Sequence, residues 1–268
     1  MNDNSEHHWS FDYNYGAQNP QFAQELIGTL SEYDRGCYTD IDVRDTRAAQ
    51  AITHIYNILP NYWRGYAGKG AEETLSIGTV TVERSKQDDL WNYAVRYENT
   101  TSGEHLRMQF CCCDEHYRPL TESWRVDARN SGDDTYSELT CEGSVVEDSE
   151  VRFRINGTEI VAGTVDRSTK LTCNWALFDV IPALAQTIQA SGNGVELTLL
   201  EDLEQLRPKS NLGFLASIQT PIPLEGYYLY GAGLLPSYWW LDAHGNIAIA
   251  STFFETLVLK EKIGGIDE

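Results

Sequence analysis

Basic residues are scarce in this chain. Lys and Arg total 20 against 40 Asp and Glu, a formal net charge of −20, and only 6 of the 20 are Lys. Phosphate recognition needs clustered cations, so no nucleic-acid partner is expected. An acidic, Lys-poor surface suits a salty environment, though self-repulsion that keeps a protein soluble is the plainer account. Long apolar runs are also missing. No stretch reaches about 18 apolar residues, so no membrane span is expected. The first sixteen residues are polar and acidic, without the basic start and apolar stretch of a signal peptide. A cytoplasmic location is therefore expected, unless a leader has been removed.

Motifs that name a chemistry are lacking too. There is no Gly-x-Ser-x-Gly, no Gly-rich phosphate loop and no dinucleotide fingerprint. Of six cysteines, Cys111, Cys112 and Cys113 are consecutive. Neighbours on a strand point to opposite faces, so the triplet suits neither a disulfide framework nor a zinc site. Reduced thiols are the expectation. Asp40, Asp42 and Asp45 fail the calcium-loop pattern, which needs a Gly and a closing Glu at fixed positions. No metal and no cofactor are expected.

What is present is apolar and aromatic. Hydrophobic residues make up 41% of the chain, enough for a sizeable core, and 15 Tyr and 7 Trp suit strands and pocket walls. The period of the apolar pattern divides the chain near residue 65. Before it, Asn19-Pro20 opens a helix carrying Phe22, Leu26, Leu30 and Tyr33, and Gly36 stops it. A second helix is predicted from a cap at Asp45 or Thr46. Its stripe is Ala48, Ala51, Ile52, Ile55, Tyr56 and Leu59, and Pro60 ends it. After residue 65 the period is two. Trp91, Tyr93, Val95 and Tyr97 alternate with polar neighbours, as do Leu106, Met108, Phe110 and Cys112, then Trp124, Val126 and Ala128, then Val151, Phe153 and Ile155. The phase slips between Leu75-Ile77 and Val80-Val82, which predicts a bulge or bend at Gly78. Leu177, Val180, Ile181, Leu184 and Ile188 return to helical spacing, predicting a helix over about 179–190 that can plug the end of a curved sheet.

The expected fold class is therefore mainly β (α+β). A large antiparallel meander forms a barrel or strongly curved sheet, with an N-terminal two-helix segment and one interrupting helix. Residues 1–64 are read as an arm and helices packing on the sheet, and 65–268 as the β-barrel, together one structural unit.

The hairpin at residues 238–251, Tyr-Trp-Trp-Leu-Asp-Ala-His-Gly-Asn-Ile-Ala-Ile-Ala-Ser, resembles the closing hairpin of bacterial lipocalin-like (calycin-like) proteins. The matching stretch covers about 30 residues. The resemblance implies a barrel holding an apolar or amphipathic ligand, and a few relatives catalyse cofactor-free hydrations, isomerisations or cyclisations. The greater length, the helical N-terminus and the helix near residue 180 depart from simple lipocalins.

Several constellations are candidates for chemistry. Tyr227, Tyr228, Tyr230, Tyr238, Trp239 and Trp240 flank a turn-rich segment and could line a pocket, or pack as a plain β core. From these, Tyr230 and Tyr238 are candidate catalytic groups, with Asp114 and His116 as an acid–base pair in a dense polar turn. That turn also reads as a solvated hairpin loop. Trp91, Tyr93, Trp124, Tyr228 and Trp240 are candidate ligand-binding residues. Arg107, Arg125, Arg129, Arg152 and Arg154 lie opposite the apolar faces of their strands, and read better as partners of surface acids than as an anion clamp. The function expected is binding of an apolar or aromatic small molecule in a barrel cavity, extending to a cofactor-free isomerase, cyclase or hydratase. A protein-interaction module that docks a partner or a second copy as a homodimer, and a carbohydrate-binding β domain, stay open as alternatives.

Overall fold

The computed structural model describes residues 20–36, 51–61, 76–131, 137–145, 150–165, 171–219 and 221–264. Among the described residues fifteen strands form one sheet. The first eight are β1 (Ala51–Pro60), β2 (Gly78–Gln87), β3 (Leu90–Asn99), β4 (Glu104–Cys113), β5 (Leu120–Asn130), β6 (Ser137–Val145), β7 (Glu150–Ile155) and β8 (Thr158–Thr164). After the short β9 (Leu171–Cys173) come β10 (Val195–Glu201), β11 (Gln205–Ile218), β12 (Leu224–Gly231), β13 (Leu234–Asp242), β14 (Ile247–Ser251) and β15 (Glu255–Ile263). The sheet order is β8 through β1, then β15 back to β9. Every neighbour pairs antiparallel except β9 with β10. The first and last strands thus meet in the middle of the sheet, and β8 and β9 are its edges.

The second predicted helix is corrected. Residues 45–50 lie outside the described residues, and 51–60 are β1, paired with β2 on one side and β15 on the other. The β-branched Ile52, Thr53, Ile55 and Ile58 favour strand. His54, Tyr56 and Ile58 are buried on the inner face, and Leu59 is buried on the outer face beneath a helix. With Ile55 half-buried and Leu59 buried on the outer face, apolar residues occur on both faces, and their spacings imitate a helical stripe.

The bulge expected at Gly78 is corrected as well. β2 starts there, and its pairing with β1 and β3 is regular. Glycine is required because a Cβ would lie 1.9 Å from the Glu98 carbonyl oxygen. Curvature comes from register shifts elsewhere, such as Ile55/Tyr56 against β15 and Phe110/Cys112 against β5. The sheet curls until its ends approach without closing. The Trp124 indole N–H donates to the Leu203 carbonyl (2.8 Å), and the Thr172 hydroxyl to the Arg118 carbonyl (3.3 Å).

Among the described residues two helices pack on the sheet. Helix α1 (Pro20–Gly36) falls where Pro20 and Gly36 predicted it, and lies on the outer face. Leu26 and Leu30 pack with Leu59, Trp240, Ile249 and Val258. The Tyr33 hydroxyl donates to Asp242 Oδ2 (2.8 Å). Helix α2 (Leu177–Ser191), preceded by a 3-10 turn at Asn174–Ala176, lies inside the curl. Its Leu177, Phe178, Val180, Ile181, Leu184, Ala185 and Ile188 are all buried, in one core with residues from both halves of the sheet. Pro182 sits in its second turn and gives up one helical hydrogen bond. Tight interior packing offsets that loss.

Large aromatics are seated over glycines on neighbouring strands. Trp124 pairs with Gly143, and a Cβ there would fall 2.1 Å from the indole; Tyr228 over Gly213 and Trp240 over Gly226 repeat the device. Gly143→Ala is expected to displace the Trp124 ring and destabilise the protein by about 1–2 kcal/mol. A urea midpoint equal to that of the parent would contradict this.

Candidate functional site

Two polar or hollow features lie inside the curl, at opposite ends. The first is a buried cluster beneath α2. Arg84, 4% exposed, ion-pairs with Asp179 in the first turn of α2, and its Nη2 lies 2.9 Å from His54 Nδ1. The Tyr93 hydroxyl donates to Asp179 Oδ2 (2.6 Å), and the Tyr56 hydroxyl to the Ile247 carbonyl (3.0 Å). Asp179 also faces the positive end of the helix macrodipole. Burial, then the charges of Arg84 and Lys262, push the His54 pKa down to about 2. The imidazole is therefore neutral and can accept from Arg84. Burial, reinforced by Asp179, raises the Tyr93 phenol well above its ordinary value. These groups are locked to one another and to the helix, so the cluster fastens α2 in place.

The second feature is a cavity of about 400 Å³ at the other end, where the turns after β10, β12 and β14 gather. Its walls are apolar. Trp175 comes from the 3-10 turn leading into α2 and Phe178 from the start of α2, Leu199 and Leu229 from the sheet, and Trp239, Ala250 and Leu257 from the last three strands. Leu235, Phe253 and Phe254 are exposed at its mouth. Glu104, Glu201, Asp202 and Glu255 also line it, and no Lys, Arg or His does among the described residues. The Tyr97 hydroxyl donates to Glu255 (2.8 Å), the Asn174 amide to Asp202 (2.7 Å), and Arg207 ion-pairs with Glu201 (2.7 Å). Asp202 is reached by solvent yet surrounded by protein, and this desolvation raises its carboxyl pKa.

Period-two geometry splits the predicted aromatic cluster between two faces. Tyr227 and Trp239 join the interior core. Tyr228 and Tyr230 stack on the outer face with ring centroids 5.6 Å apart, and Tyr238 sits opposite Tyr228. Trp240 is buried beneath α1. Trp91, Tyr93 and Trp124 are buried inside the curl but away from the cavity wall. Asp114 accepts from the Trp91 indole (2.8 Å) and from Arg118 (2.8 Å), and pairs with Lys86 (2.5 Å). Bonds from Lys86 and Trp91 hold its carboxyl below the ordinary range, while His116 is exposed on the same turn. None of the candidate catalytic or ligand-binding residues lines the cavity; of the aromatic cluster Trp239 does, while Trp175, Phe178 and Leu229 stand outside the expectation. The inward phase of Tyr227 and Leu229 was the available signal.

The predicted arginine row is on the outer face and meets acids. Arg125 pairs with Asp127 (2.8 Å) and Glu142 (2.9 Å), Arg129 with Glu138 (2.9 Å), and Arg152 with Glu150 and Glu159. Among the described residues Cys111, Cys112, Cys113, Cys141 and Cys173 take part in no disulfide, and no group of three or more ligand-type side chains could hold a metal. The Asp40–Asp45 cluster lies outside the described residues. No helix of the described residues is long and apolar enough to cross a membrane.

No protein-family model and no curated protein matches the chain. Among solved structures it is similar to a beta-barrel-like protein of a domain of unknown function, DUF1849, from Brucella abortus. The TM-score is 0.46 at 10% identity, over 80% of this chain and 97% of that one.

Proposed function

We propose that this protein binds an apolar or amphipathic small molecule in the cavity at the open end of the curled sheet. The observation that carries the reading is the cavity itself. Its volume of about 400 Å³ falls in the range of small-molecule sites, and its walls are apolar and aromatic side chains that water solvates poorly. Helix α2 plugs the other end and is pinned by the Arg84–Asp179 pair, so the hollow is held open by the fold rather than by a ligand. The lipocalin-like hairpin at 238–251 supports the same reading. The reading stops at binding, because Tyr230, Tyr238, Asp114 and His116 do not line the cavity.

Ala250 tests it. The residue is 2% exposed and lines the cavity, so a larger side chain there takes up space in the hollow. Titration with the uncharged dye Nile red is expected to give saturable binding to the parent and at least tenfold weaker binding to Ala250→Phe, with the circular dichroism spectrum unchanged. Equal binding by the two proteins would place the dye elsewhere and remove the reading.

A further inference from the structure

Resting on that cavity reading, we infer that the ligand is a cationic amphiphile: an apolar tail joined to an ammonium head through a linkage that carries an acceptor oxygen. Three features of the site point to the three parts. The apolar walls take the tail.

The head is assigned by charge. Acidic side chains line the mouth and no basic one does among the described residues. Glu201 is answered by Arg207, whereas among the described residues the Asp202 carboxylate accepts from a neutral donor, the Asn174 amide, and is paired with no cation. A carboxylate with no cationic partner favours a cation beside it. The same acids disfavour a fatty acid, whose carboxylate would meet Asp202 and Glu104. The faces of Phe253 and Phe254 add cation–π surface at the mouth.

The acceptor is assigned by an orphan donor. Trp175 is 8% exposed, lines the cavity, and its indole N–H makes no hydrogen bond. The Asp202 carboxyl lies near enough to feel that N–H without bonding it, which directs the donor to the corner of the cavity where the acids sit. A buried donor without an acceptor is costly to leave. An ester, amide or ether oxygen next to the ammonium head would satisfy it.

Decanoylcholine, methyl decanoate and decanoate share one tail and differ in charge. Their binding to the full chain can be followed by calorimetry. Decanoylcholine is expected to bind at least tenfold tighter than methyl decanoate, and decanoate weakest. The variant Asp202→Asn/Glu104→Gln is expected to lose about tenfold for decanoylcholine and nothing for methyl decanoate. Asn tolerates the positive φ of 49° at position 202, so the turn is preserved. Trp175→Phe is expected to weaken both esters and to leave decyltrimethylammonium, which lacks the oxygen, unchanged. Equal binding of the three decanoyl probes, or tighter binding of decanoate, would overturn the cationic assignment while leaving the cavity reading intact. Absence of binding by every probe would remove both.

Discussion

Arg84→Ala is expected to destabilise the protein by about 3–5 kcal/mol. The Arg84 side chain is 3% exposed and the Asp179 side chain 18% exposed, so truncating the arginine strands a carboxylate inside the curl. It also leaves His54 without the donor 2.9 Å from its Nδ1. The size of the effect reflects the unpaired charge left behind more than the net worth of the pair. The double variant Arg84→Met/Asp179→Leu is therefore expected to be more stable than Arg84→Ala, because neither charge remains to be buried. Urea unfolding with matched slopes measures both. A loss below about 1 kcal/mol for Arg84→Ala would mean that α2 is not fastened by this pair.

The second large effect is with pH. In the folded chain the His54 pKa is lowered to about 2, first by burial and then by Arg84 and Lys262. The unfolded chain takes up the proton at the ordinary value of about 6.5. Between those values the unfolded state binds more protons, so stability falls as pH falls, by at most about 1.4 kcal/mol per pH unit. From pH 6.5 to pH 4.5 the histidine alone costs about 2 kcal/mol. His54→Gln removes the titration. The difference between parent and variant isolates it from carboxylates that titrate in the same window. If the two stability profiles ran parallel from pH 7 to pH 4.5, the neutral, buried imidazole would be wrong.

Legibility in the sequence followed how many faces of an element are buried. Strands β3 to β5 have one face inside and one in water, so Trp91 to Tyr97 and Leu106 to Cys112 alternate cleanly. Helix α1 is legible because Pro20 and Gly36 punctuate it and only one stripe is covered. β1 was misread because it lies at the centre of the sheet, with the core inside it and α1 over Leu59. The helix inside the curl was visible from its apolar spacing, but nothing near Asp179 announces Arg84, 95 residues earlier.

The candidate site was less legible still, because a cavity is formed by segments distant in sequence. Tyr227, Tyr228, Tyr230, Tyr238, Trp239 and Trp240 form one aromatic tract on paper. In the sheet, Tyr227 and Trp239 turn inward, while Tyr228, Tyr230, Tyr238 and Trp240 turn outward. A strict count of strand phase separates them. That Trp239 shares a wall with Trp175 and Ala250 depends on where the sheet curls and where α2 enters, which no local pattern encodes.

The central claim is that the hollow lined by Trp175, Trp239 and Ala250 is a ligand site. The most direct test is a crystal of the full chain soaked with a terminally brominated alkane, with the bromine located by anomalous scattering. An ordered bromine peak between the Trp175 and Trp239 rings in the parent, lost in Ala250→Phe, is the predicted result. Bromine found only on the outer face, or the cavity occupied by ordered water in the presence of saturating alkane, would contradict it.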